Sequence, residues 1–141
     1  MSKNFTIIIF FLFITSTQAE VLLVQQEGKY CYDGDTCYIS IRYKDWPEAK
    51  FEKMRLLGID TPELSRPKCQ KEKKLALEAR NYLNNLIGSA ETIKIETNYD
   101  RGRFGRILAS LKLDSVDASE ALIQNGFGKV YIKGQKIDWC L

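Results

Sequence analysis

The chain has 141 residues, 45% of them hydrophobic and 28% charged, with a formal net charge of +3. That length supports one domain around one core, and so mild a charge permits a polyanionic partner without requiring one. The sequence holds no histidine, which excludes a Ser-His-Asp triad, His-ligated zinc and histidine general-base chemistry; proton transfer must fall to Asp, Glu, Tyr, Lys or water on a metal.

In chain order, residues 1–19 read as a signal peptide. Lys3 gives a positive start, 7–14 (IIIFFLFI) an apolar stretch, and Thr17-Gln18-Ala19 a small-x-small cleavage site. The stretch is far shorter than the roughly 20 residues that span a bilayer. Export and cleavage before Glu20 are therefore expected, leaving 20–141 as a single domain, secreted or periplasmic and free of the membrane. Removal of Lys3 takes the net charge from +3 to +2.

The alternation in 21–32 and 37–43 predicts two strands, joined at the turn signal Asp33-Gly34-Asp35-Thr36. A third strand is expected over 49–59. Pro67 opens a helix whose apolar positions include Leu75, Ala79, Tyr82, Leu83 and Leu86, with Gly88 as its predicted stop. The charged residues of this helix, among them Lys71, Glu72, Lys73, Lys74, Glu78 and Arg80, are expected on a solvated face. Strands follow over 91–97 and 106–113, with a polar loop at 98–105 between them. Asp117 caps a short second helix, Gly126 stops it, and 127–132 packs or pairs again. The predicted class is α+β, mainly β: a five-stranded OB-fold-type barrel with two to three helices.

Cys31, Cys37, Cys69 and Cys140 form no C-x-x-C pair, so a zinc knuckle is disfavoured. In an exported chain an even count favours two disulfides, with three possible connectivities. Cys31–Cys37, flanking one turn, and Cys69–Cys140, tying the tail to the body, are the favoured pairs.

The chemistry-bearing segments are Asp33-Gly34-Asp35-Thr36, the run Arg55-Leu56-Leu57-Gly58-Ile59-Asp60-Thr61-Pro62-Glu63, Gly105-Arg106, and Glu120-Ala121-Leu122 with Gly126. Each alone reads as a turn, a strand end or a surface arginine. Their order and spacing together resemble the staphylococcal nuclease (thermonuclease) family, from about 21 to 131. The resemblance implies a Ca²⁺-dependent phosphodiesterase that cuts DNA and RNA, preferring single strands. It matches Asp35 and Asp60 to the metal carboxylates, Thr61 to a carbonyl ligand and Asp33 to an acidic position behind them. Glu63 matches the carboxylate that positions the attacking water, and Arg55 and Arg106 the phosphate-binding arginines.

The residue types agree with that assignment. Hard oxygen donors from two loops suit Ca²⁺ first and Mg²⁺ second. Two guanidiniums can bind a phosphoryl group bidentately as its charge grows. The sequence departs from the family where Arg103-Phe104 precedes Gly105-Arg106. There Phe104 replaces a tyrosine; it can stack on a base but cannot donate a hydrogen bond. Arg103, Phe104, Lys129, Tyr131 and Lys133 are the further candidates for substrate contact. Competing readings are a non-catalytic single-strand-binding module and a structural exported domain. Neither explains five charged residues at Asp35, Arg55, Asp60, Glu63 and Arg106. A monomer is expected.

Overall fold

A computed structural model describes residues 19–141; the expected signal peptide lies almost wholly outside them. Five strands form the main sheet: β1 (Glu20–Leu23), β2 (Thr36–Arg42), β3 (Lys50–Leu56), β5 (Ile93–Glu96) and β6 (Ile107–Leu113). Their order is β1-β2-β3-β6-β5, with short β7 (Val116–Asp117) added to β6. All pairings in this sheet are antiparallel except β3 with β6. A separate ribbon pairs β4 (Ile59–Asp60) with β8 (Lys129–Val130). Two helices, α1 (Gln70–Ser89) and α2 (Ala118–Gln124), complete the fold. The sheet curls into a half-barrel, so the expected OB-type architecture holds.

The curl follows from which faces are apolar. In β6 every second residue from Ile107 to Leu113 is buried, the period of a strand with one face in the core. Cys37, Ile39 and Ile41 of β2, with Met54 and Leu56 of β3, are fully buried on the same side. Ala79, Leu83 and Ile87 of α1 and Leu122 of α2 cover them. Asp117 caps α2 as expected, its carboxylate accepting from the Glu120 amide at 3.1 Å. Gly126, at φ 78°, closes that helix. Both favoured disulfides are present, and no free cysteine remains among the described residues.

Four expectations are corrected. The first strand does not run over 21–32: β1 stops at Leu23, and the Gln26 and Lys29 backbones then bond reciprocally at 2.9 and 3.0 Å. Between them Glu27 and Gly28 both take positive φ, at 49° and 75°, which makes this a tight hairpin turn. The third strand is cut at Gly58, whose φ of 78° turns the chain into β4. Gly88 does not end α1, which runs to Ser89 and closes when the Ala90 amide donates to the Ile87 carbonyl at 3.2 Å. Glu72 is not on a solvated face; it is only 3% exposed.

Candidate active site

The site gathers at one end of the sheet, and the loop 33–36 begins it. Asp33 Oδ1 accepts from the amides of Asp35 at 3.1 Å and Thr36 at 2.8 Å, folding the loop on its own side chain. A Cβ at Gly34 would lie 2.8 Å from Thr61 Cγ2, so only glycine lets this loop close on the segment after β4. The Asp35 carbonyl takes the Leu56 amide at 2.8 Å, anchoring the loop beside β3.

Register then sets the side chains. Thr36 pairs with Arg55 across β2 and β3, and Arg55 pairs with Leu108 across the parallel β3–β6 ladder. Arg106 therefore enters just before β6, at the same end as Arg55. Arg55 Nη2 donates to Asp60 Oδ1 at 2.7 Å and lies 3.5 Å from Asp35 Oδ2. Its Nη1 donates to the Leu56 carbonyl at 3.0 Å. Arg106 Nη1 donates to Thr36 Oγ1 at 2.9 Å, and Thr36 Oγ1 donates to Asp35 Oδ1 at 3.1 Å. Arg106, Thr36, Asp35, Arg55 and Asp60 thus form one continuous polar chain. Buried charges survive when paired and bonded in this way.

The carboxylates outnumber the guanidiniums. Burial, and then the charges of Asp35 and Glu63, push Asp33 up to about 7 against the opposing pull of its two amide donors. Burial raises Asp60 above the usual carboxylate range despite Arg55, and the Asp35 charge adds to the rise. Glu63, exposed on the connection after β4, is raised by partial desolvation, by Asp35 and by Glu72, against Arg106 and Arg55. With Glu72, five carboxylates face Arg55 and Arg106. When all are ionised that leaves an excess of three negative charges, which suits a divalent cation. Among the described residues no three Asp, Glu, Cys or His side chains converge as ligands. A cation at Asp35 and Asp60 would need carbonyl and water oxygens as well; Thr61, the expected carbonyl ligand, is buried directly after β4.

The outer candidates divide. Tyr131 is exposed, with its ring 5.5 Å from the Arg55 guanidinium carbon. Phe104 is 87% exposed, holds φ at 62°, and has the guanidiniums of Arg103 and Arg106 each 5.8 Å from its ring. Arg103 also gives its carbonyl to Arg106 Nε at 3.2 Å. Lys129 pairs with Asp60 in the ribbon, but its Nζ sits 5.4 Å from the Trp139 ring. Lys133 is exposed in the turn beyond β8. Sequence reasoning missed two participants. Thr36, which links Arg106 to Asp35, stands inside the Asp33-Gly34-Asp35-Thr36 block, and that block is the signal that could have found it. Glu72, whose carboxylate takes the Glu63 amide at 3.1 Å, gives no separate signal.

The fold is thus an OB-type half-barrel with a carboxylate and guanidinium cluster gathered at its strand ends. The profile of the staphylococcal nuclease homologue family matches residues 53–138, more than half of the chain. The chain belongs to that family, a family of nucleases that bind nucleic acid.

Proposed function

We propose that this chain is an exported, monomeric, Ca²⁺-dependent endonuclease that hydrolyses DNA and RNA, with single strands preferred. The observation that carries the reading is the polar chain from Arg106 through Thr36, Asp35 and Arg55 to Asp60, with Glu63 three residues further on in the connection after β4. Asp35, Asp60 and the Thr61 carbonyl would hold the cation, and the Asp33 carboxylate shapes the loop that presents Asp35. Ca²⁺, with Mg²⁺ as second choice, would supply Lewis-acid charge and a template at the phosphate.

The protein's own groups do the rest. Arg55 and Arg106 would clamp the phosphoryl oxygens. Their grip tightens as negative charge builds, so it lowers the barrier more than it tightens ground-state binding. Glu63 would orient the attacking water and accept its proton. Phe104 and Tyr131, both exposed beside the arginines, would stack on bases. Stacked duplex bases offer no such faces, which supports the preference for single strands. Two disulfides suit an oxidising compartment. Among the described residues no helix is long and apolar enough to cross a membrane. Export with cleavage before Glu20 fits both.

The test is to express the full chain with its leader, recover the processed protein, and weigh it. Denatured DNA and RNA are then offered with Ca²⁺ or with chelator. Cleavage that needs Ca²⁺ and falls steeply, without vanishing, in Glu63→Ala supports the reading. A folded, oxidised protein that binds single strands but cuts none with any divalent metal would be a binding module instead.

A further inference from the structure

The connection from β4 to α1 carries Glu63 and has no regular structure of its own. Its hydrogen bonds converge on one side chain. Glu72 Oε1 accepts from the Glu63 amide at 3.1 Å, and Glu72 Oε2 accepts from the Lys68 amide at 2.6 Å. The two oxygens of a single carboxylate therefore hold both ends of the connection. Glu72 is 3% exposed, and no cation pairs with it among the described salt bridges. A buried unpaired carboxylate is costly unless ionic hydrogen bonds replace its water. The two amides supply those bonds, and the first turn of α1 adds its favourable dipole.

The holder is itself held. The Glu72 amide donates to Cys69 Sγ at 3.4 Å, which makes Cys69 the cap of α1. Cys69 is bonded to Cys140, and Lys71 Nζ donates to a terminal oxygen of Leu141. The first turn of α1 is thus pinned to the tail, and Glu72 projects from that fixed turn.

We propose that Glu72 is the positioning residue of the site: it touches no substrate, but by gripping the Glu63 backbone it fixes where the Glu63 carboxylate stands relative to the arginines. The inference rests on the nuclease reading. A misplacement of about 1 Å at a reacting group costs about 10²-fold in rate. Glu72→Gln keeps the volume, but its amide nitrogen faces an N–H donor and breaks one of the two bonds.

The experiment measures kcat, KM and melting for wild type, Glu72→Gln, Glu63→Ala and the double variant on single-stranded DNA with Ca²⁺. The expected result is a kcat lowered about 10- to 100-fold with KM changed by less than about twofold. Added to Glu63→Ala, Glu72→Gln should cost nothing more, because the group it positions is gone. Amide exchange should quicken at Glu63 and Lys68. Wild-type kcat in a folded Glu72→Gln, or a loss that adds in full to that of Glu63→Ala, overturns the proposal. If Glu72→Gln does not fold, Glu72→Asp, which keeps the charge and shortens the reach, is put through the same cycle. An inactive wild type would instead bring down the nuclease reading, and this inference with it.

Discussion

Opening the Cys69–Cys140 bond should cost a large share of a small domain's margin of stability. The two cysteines are separated by 71 residues, so the bond closes more than half of the described chain into one loop. In the chain-entropy model, a loop of that size removes about 15 cal/mol/K from the unfolded state, or about 4 kcal/mol at 25 °C. The Cys69→Ser/Cys140→Ser variant isolates this term. Serine can still cap α1 in place of Cys69 Sγ, and both positions are only half-buried, so little packing is lost. A domain of this size has roughly 5–15 kcal/mol in hand. Urea unfolding without metal is the assay. A loss of about 4 kcal/mol moves the midpoint by about 2 M when m is about 2 kcal/mol/M. The slope m should also rise, because the opened chain unfolds to a more exposed ensemble. A loss below about 1 kcal/mol with an unchanged slope would refute the argument.

Arg106→Lys keeps the charge but cannot reach both Thr36 Oγ1 and the Arg103 carbonyl in the same fork. Its kcat should fall by about 10²- to 10³-fold with melting nearly unchanged, and a fully active lysine variant would dismiss the clamp. The pH dependence has a definite sign. Asp33, Asp60 and Glu63 are raised in the folded chain, so between their ordinary and raised values the folded state binds more protons than the unfolded one. Stability without metal therefore falls as pH rises through that window, which for Asp33 runs from 3.8 to about 7. With no histidine to titrate in the same range, the chelated protein should melt higher at about pH 5.5 than at about pH 7.5. Saturating Ca²⁺ should remove that advantage; a chelated protein that melts lower at the acid end would contradict the crowding of carboxylates.

The parts of this fold that were legible in the sequence are those where one local pattern decides the outcome. Strand β6 alternates because one face is in the core, and Asp117 and Gly126 bracket α2 by capping chemistry alone. The acidic and arginine positions were legible through the order of four motif blocks. What was not legible depends on distant chain. Glu27 occupies a left-handed turn position that glutamate seldom takes, so the first strand reads as continuous. Glu72 lies among Lys71, Lys73 and Lys74, and nothing local sets one charged residue of that run apart from the others. Its burial exists only because the 63–68 segment folds back over it, and no helical period encodes that. Thr36 is similar: its hydroxyl matters because β6 delivers Arg106 beside it.

The topology explains why the site stands where it does. Among the described strand pairs β3–β6 is the one parallel pair, and a parallel pair needs a crossover long enough to return the chain to the same end. Here the crossover runs from Leu57 to Arg106 and includes β4, the Glu63 connection, α1 and β5. The connection that brings Arg106 back beside Arg55 therefore also supplies Asp60, Glu63 and Glu72. Its register is not free. A one-residue slip of β6 against β3 would turn Ile107, Ala109, Leu111 and Leu113 out of the core. The burial of those four side chains thus fixes the two guanidiniums relative to each other, so a mutation deep in β6 that loosens the register should be felt at the site before the fold is lost.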